Sequence, residues 1–213
     1  MDSTQQLQTW INDFGKEYTD RNIYAPQELD QFYTRTFGLS KTEMDKEFLG
    51  GREINSILEV GCNVGNQLRL LQEIGYRNLY GIEPQEYAVE KAKSLTRDIN
   101  IIKGSAFDLP FKDNYFDLVF TAGVLIHINP NDIAKALQDI YRVSKRYIWG
   151  FEYYADNYTE IQYRGKSELL WKTNFAELYK KQFPALTLIK EKKYPYIEGD
   201  NVDSMFIFEK QAG

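Results

Sequence analysis

Between Glu53 and about Tyr154 short apolar runs alternate with amphipathic segments, and this alternation restricts the chain more than any other feature. SILEV, RNLYGIE, DINIIKG, YFDLVFT and KRYIWGFEYY read as strands. VGNQLRLLQEI, PQEYAVEKAKSL and PNDIAKALQDIYRV between them read as helices, the first with Leu68, Leu71 and Ile74 on one side. Near-continuous apolar strands separated by helices form a parallel sheet covered on both faces. Right-handed crossovers then wind it doubly.

The flanks read differently. Up to about Arg52 the chain is helical and punctuated by turns. Leu7, Trp10, Ile11 and Phe14 share one helix face, with Gly15 expected to end that helix. Pro26 suits the first turn of a second helix carrying Leu29, Phe32 and Phe37. A third runs from Lys41 to Leu49 and stops at Gly50-Gly51. From about Ala155 a polar, tyrosine-rich stretch leads to the helix NFAELYKKQF and the strands ALTLIKEKKY and VDSMFIFEK, joined without a helix. The expected fold is therefore α/β: a doubly wound, mostly parallel seven-stranded sheet with an antiparallel C-terminal strand. Residues 1–52 form a helical N-terminal cap and residues 53–213 a single compact unit.

Composition removes several function classes. Lysine plus arginine is 26 and aspartate plus glutamate 31, a net charge of −5, which argues against a protein built to grip phosphate backbones. No nucleic-acid partner is expected. With one cysteine, Cys62, and one histidine, His127, neither an intrachain disulfide nor a multi-ligand Cys/His zinc site is possible. No metal is assigned, although carboxylate-only magnesium sites stay open. The start MDSTQQLQTW lacks the basic end and apolar run of a secretory signal, and no run reaches the ~18 apolar residues of a membrane helix. The expectation is a cytoplasmic protein without a membrane partner. Aromatic residues make up 15%, which suits either a large core or a pocket for a flat or cationic ligand. Five of the 16 tyrosines (Tyr147, Tyr153, Tyr154, Tyr158 and Tyr163) crowd into the fifth strand and the loop after it.

The sharpest motif is Glu59-Val60-Gly61-Cys62-Asn63-Val64-Gly65, between the first strand and its helix. In such a sheet ligands bind beyond the carboxyl ends of the strands, near the topological switch point. Glycine lets the backbone turn sharply and approach a ligand, and Asn63 tolerates the left-handed conformation. Glu83 follows Gly65 by 18 residues and closes LYGIE, where an acid can accept both ribose hydroxyls of an adenosine. The motif resembles the acid-x-Gly-x-Gly-x-Gly signature of class I S-adenosylmethionine-dependent methyltransferases, with Asn63 for the middle glycine. A nicotinamide dinucleotide fingerprint would need glycines where Asn63 and Asn66 stand.

That resemblance extends to GSAFDLPFKDNYFDLV, where relatives carry an aspartate that contacts the adenine amino group. Ser105 stands there, so adenine recognition would lean on Ala106 and Phe107. It also implies donor contacts from Glu59, Gly61, Asn63, Gly65, Glu83, Pro84 and Ala122. TAGVLIHINP resembles the stretch facing the methyl donor.

Tyr18-Thr19-Asp20-Arg21-Asn22, Gly123 to Pro130, Glu152-Tyr153-Tyr154 and Tyr163-Arg164-Gly165, in that order, look like the methylases associated with pseudaminic acid biosynthesis. This likeness implies S-adenosyl-L-methionine as cofactor and a small sugar or sugar-nucleotide acceptor. It also implies an N-terminal lid with Tyr18 and with Arg21 near the donor's carboxylate.

Methyl transfer from a sulfonium asks the protein to align the reactants, exclude water and remove a proton when needed. His127, just beyond the fourth strand, is the candidate base, and loop-fixing is its alternative role. Glu152 and Tyr154 at the end of the fifth strand are further catalytic candidates. Strand alternation sends Tyr153 to the other face. Tyr153 and Tyr163 are candidate substrate contacts, and Arg164 could hold a sugar carboxylate bidentately. The rival functions are methylation of another small metabolite and non-catalytic sensing of S-adenosylmethionine.

Overall fold

The computed structural model describes residues 5–211. Nine strands and eight α-helices follow in chain order among them. The strands are β1 (Ile57–Val60), β2 (Leu79–Glu83), β3 (Ile99–Lys103), β4 (Phe116–Ala122), β5 (Ser144–Tyr153), β6 (Thr159–Glu160), β7 (Trp171–Lys172), β8 (Leu186–Pro195) and β9 (Val202–Lys210). The helices are α1 (Gln5–Ile11), α2 (Asp13–Arg21), α3 (Pro26–Phe37), α4 (Lys41–Leu49), α5 (Asn66–Glu73), α6 (Glu86–Leu95), α7 (Ile133–Val143) and α8 (Phe175–Gln182).

Seven strands form one sheet in the order β3-β2-β1-β4-β5-β9-β8. The first five run parallel, and β9 runs antiparallel to both β5 and β8. The chain order reverses between β1 and β4, which opens the switch-point crevice at the strands' carboxyl ends. This is the expected doubly wound α/β fold.

Strand alternation divides the core into two layers. Leu58, Val60, Ile148 and Phe206 face the layer closed by α7 and α8. The apolar residues of α7 (Ile133, Ala136, Leu137, Ile140 and Val143) recur at helical spacing and are all buried there. Ile57, Trp149, Met205 and Ile207 face the other layer, where α3 and α4 contribute Leu29, Tyr33, Met44, Phe48 and Leu49. The N-terminal helices thus share a core with the sheet.

One local expectation needs correction, and one segment gains a detail. Gly15 does not end the first helix: the break falls at Asn12, and Gly15 lies inside α2. A Cβ on Gly15 would stand 1.8 Å from the Trp10 carbonyl oxygen, so the glycine permits the close packing of α2 on α1. The polar stretch after Ala155 holds the small antiparallel pair β6–β7, which pairs Thr159 with Lys172 and Glu160 with Trp171. Between those strands Tyr163 and Lys166 exchange backbone hydrogen bonds around Arg164 (φ 51°) and Gly165 (φ 75°). Two positive φ values in sequence make a type I′ turn. Strands of two residues are too short to leave a periodic signal.

Candidate active site

A cavity of about 630 Å³ lies over the carboxyl ends of β1, β2, β4 and β5 and the start of β9, roofed by α1, α2 and α3. At one end stands the loop after β1. Gly61 has φ 75°, and a Cβ there would meet Val124 Cγ2 at 2.7 Å. Asn63 takes the left-handed conformation at φ 46°. The Asn63 amide donates to Glu83 Oε2 at 3.0 Å and the Gln85 amide to Glu83 Oε1 at 3.0 Å. Burial pushes the Glu83 carboxyl up to about 7, against the pull of those two donors. Glu59 is buried more deeply still, with Oε2 unpartnered. Burial makes it a much weaker acid than an ordinary carboxyl, an effect that the charge of Lys41 only partly offsets. Pro84, Ala106 and Phe107 line the same end, and Ser105 Oγ accepts from the Phe107 amide at 3.2 Å.

The roof is stitched to that loop by polar bonds. Thr19 Oγ1 donates to Asn63 Oδ1 at 2.9 Å, and Asn66 Nδ2 donates to the Asn22 carbonyl at 2.7 Å. Arg69 Nη1 donates to the Tyr24 carbonyl at 3.0 Å. These bonds hold residues 18–24 over the glycine loop and place Tyr18 and Arg21 on the cavity wall. Arg21 Nη1 lies 3.6 Å from Glu17. Burial raises the Tyr18 phenol far above its ordinary value.

Past Ala122, Gly123 leads into a short 3-10 turn, Leu125–His127. Glu152 braces it from behind: Oε1 accepts from the Val124 amide at 3.2 Å and Oε2 from the Ile126 amide at 3.4 Å. Burial pushes Glu152 up to about 7. His127 Nδ1 lies 2.8 Å from the Leu169 carbonyl oxygen. A carbonyl only accepts, so the proton is on Nδ1 and Nε2 is the basic nitrogen. Burial drives the imidazole down to about 4, so it is neutral at pH 7. The rings of Trp10 and Tyr163 flank it, with centroids 4.4 Å and 5.6 Å away.

Residues 58–147 match the family described as "Methyltransferase domain". The chain carries a class I S-adenosylmethionine-dependent methyltransferase domain. An uncharacterized methyltransferase of Schizosaccharomyces pombe is 31% identical over 141 residues, 60% of this chain and 50% of that protein. The sterol 24-C-methyltransferase of Aspergillus fumigatus is 28% identical over 103 residues, 46% of this chain and 27% of that protein. The chain thus spans half or less of the length of these two curated relatives. Among solved structures, the magnesium protoporphyrin IX methyltransferase of Synechocystis with bound S-adenosylmethionine superposes with a TM-score of 0.70. It covers 99% of this chain and all of that one at 13% identity, a likeness of fold.

Most of the residues singled out from the sequence gather on one cavity, which extends beyond the matched residues on both sides. Tyr18, Arg21, Glu59, Gly61, Asn63, Glu83, Pro84, Ser105, Ala106, Phe107, Ala122, His127, Tyr153, Tyr163 and Arg164 all line it. Gly65 is one step removed, as the left-handed N-cap of α5 at φ 77°.

Glu152 and Tyr154 are not on the wall. Strand alternation turns Glu152 behind the 124–127 turn, and the Tyr154 hydroxyl bonds Asp156 while its ring faces the Lys193 ammonium. The sequence reading missed Tyr33, Phe37, Tyr196 and Asp203, which close the far end of the cavity. One signal for Asp203 existed: it shares strand parity with the core residues Met205 and Ile207, an odd place for an acid.

Among the described residues no helix is long and apolar enough to cross a membrane, and no group of three or more His, Cys, Asp or Glu could hold a metal.

Proposed function

We propose that the protein transfers the methyl group of S-adenosylmethionine to a small polar acceptor. The observation that carries this reading is Glu83, a buried carboxyl clamped by two backbone amides beside a loop that comes close through Gly61. The cavity volume lies within the ~300–1,000 Å³ of small-molecule sites. A carboxylate so held presents its remaining lone pairs to a diol, as the ribose of an adenosine would require. Ser105, Ala106 and Phe107 sit where the adenine would lie. Gly61, Asn63, Pro84 and Ala122 shape the donor's path, and Glu59, Tyr18 and Arg21 border its amino-acid end.

When bound, S-adenosylmethionine supplies an electrophilic methyl group on a sulfonium. The chain's residues then need only align the acceptor, keep water out and take up a proton. The segment 18–24 covers the donor loop and limits the access of water to it. His127, neutral and with Nδ1–H committed to Leu169, offers Nε2 to a proton leaving an acceptor hydroxyl. Glu152 acts through the turn it braces and is a positioning residue.

For the acceptor we favour a sugar or sugar nucleotide of the nonulosonic (pseudaminic) acid type. Tyr153 and Tyr163 offer apolar rings with hydroxyls, and Arg164 at the cavity rim can pair with a sugar carboxylate. Calorimetry with S-adenosylhomocysteine tests the donor site, and absence of binding at saturating ligand would sink the reading. Transfer of a labelled methyl group to purified nonulosonic sugars tests the acceptor. A protein that binds the donor and transfers nothing to any small acceptor would be a sensor.

A further inference from the structure

The far end of the cavity holds a buried carboxyl, Asp203, with one oxygen left unpartnered. Asp203 lies on β9, paired across the sheet with Tyr153 of β5, and is 4% exposed. It lines the cavity, and its Oδ1 has no hydrogen-bond partner. An unsatisfied polar atom at such depth is costly, so an acid persists there when something else completes it.

Around it stand aromatic walls. Tyr33, Phe37, Phe151, Tyr153 and Tyr196 all line this end. Phe37 lies 4.9 Å from Tyr196 and 5.6 Å from Phe151, and Tyr153 lies 6.3 Å from Tyr196 between ring centres. The charged groups facing Asp203 are Glu152 and Lys172, together with the phenols of Tyr33, Tyr153 and Tyr196, of which Tyr196 also favours the ionised carboxyl by hydrogen bonding. The Lys172 ammonium pulls on the carboxyl from a distance but makes no direct ion pair with it. It donates to Asn201 and sits 5.3 Å from the centre of the Tyr153 ring. One aromatic ring at this end therefore already attracts a cation from the protein itself.

Asp203 is four strand spacings from Glu83 along the order β2-β1-β4-β5-β9. At ~4.8 Å per strand that is roughly 19 Å, so the two carboxyls serve different parts of the bound ligands. Glu83 faces the donor's end and Asp203 the acceptor's.

We propose that Asp203 and its aromatic walls form the seat of a positively charged amino group carried by the acceptor. A hydroxyl would satisfy one oxygen, but it would leave the electron-rich ring faces without the charge they favour. A cation meets both, since carboxylate and aromatic faces attract the same positive group. Burial and the charge of Glu152 hold the empty Asp203 carboxyl up to about 8. A bound ammonium draws it into the ionised form and so releases a proton near neutral pH.

This inference rests on the methyltransferase reading, and the test separates the two. The wild-type protein, saturated with S-adenosylhomocysteine, is titrated calorimetrically with choline and with its neutral isostere 3,3-dimethylbutan-1-ol. Choline is expected to bind about tenfold or more tightly than the isostere. Titration in buffers of different ionisation enthalpy at pH 7 is expected to show about one proton released per choline bound. Asp203→Asn is expected to reduce the preference to about twofold or less. The proton count needs no variant, so the result stands even if that substitution impairs folding. Equal binding of the two probes, binding of neither, or choline binding without proton release overturns the seat while leaving the donor site intact. Failure of S-adenosylhomocysteine to bind overturns both.

Discussion

The proton on His127 Nδ1 is held by the Leu169 carbonyl at 2.8 Å, across the hairpin segment that follows β5. A histidine tethered in this way presents one basic nitrogen in one orientation, and burial keeps it unprotonated down to about pH 4. His127→Ala is expected to lower kcat by ~100-fold or more if the acceptor is a hydroxyl, with donor affinity unchanged. Equal turnover in the variant would remove the base. The acid limb of the kcat/KM profile belongs near pH 4, not at the ordinary histidine value. The sign for stability follows. A depressed imidazole stabilises the fold above its unfolded value near ~6.5 and loses that contribution as pH falls towards 4.

Glu83 titrates in the opposite sense. Its folded value is raised to about 7, so its protonated form favours the fold at low pH and that advantage is lost as pH rises through 7. The donor-free protein should therefore show a thermal midpoint that falls between pH 5 and 8, and Glu83→Gln should flatten part of that slope. The same substitution should weaken S-adenosylhomocysteine binding by ~10-fold to 100-fold, because hydrogen bonds to a charged acceptor contribute about 1.5–3 kcal/mol. Calorimetry on the two proteins checks it.

Glu152→Ala orphans the part-buried amide of Val124 and the buried amide of Ile126. A loss of about 1–3 kcal/mol per unsatisfied donor is expected in chemical denaturation. Because the freed turn carries His127, kcat should fall while the donor dissociation constant holds. Glu152→Gln keeps an acceptor and should recover much of both losses. A variant that loses stability but keeps full kcat would show that the turn does not depend on this brace.

On α4, Lys41 and Asp45 form an ion pair with no solvent exposure on either side chain. Burial outweighs the pull of Lys41 and lifts Asp45 up to about 6. Breaking a buried pair from one side leaves an uncompensated charge, so Lys41→Ala is expected to destabilise by about 3–5 kcal/mol. Replacing both residues, Lys41→Met with Asp45→Leu, should be far milder. If the single and double variants unfold at the same denaturant concentration, the pair is not coupled.

The sheet was legible because its inner strands are buried on both faces and its helices on one, and both periodicities are written in the order of residues. The glycine loop and Glu83 were legible for a related reason: backbone that turns at positive φ and an acid at a strand end are local demands on residue type. Even Glu152 and Tyr153 were correctly sent to opposite faces by alternation, although the consequence differed. Glu152 found the amides of Val124 and Ile126, a contact 26 to 28 residues away in sequence.

Gly15 shows where local reasoning stops. A glycine in a helical pattern reads as a terminator, yet here the deciding atom is the Trp10 carbonyl of the helix packed against it. Asp203 shows the same limit at the site. Sequence alone determined the fold class, the glycine loop and the histidine's place beyond β4, because these follow from periodicity and backbone conformation. Tertiary structure alone decided that Nδ1 of that histidine carries the proton and that Tyr154 lies off the cavity. It also brought Asp203 into an aromatic end built from α3, β5 and the β8–β9 connection. Burial, hydrogen-bond partners and acidity depend on which distant segments meet, and no local pattern specifies that.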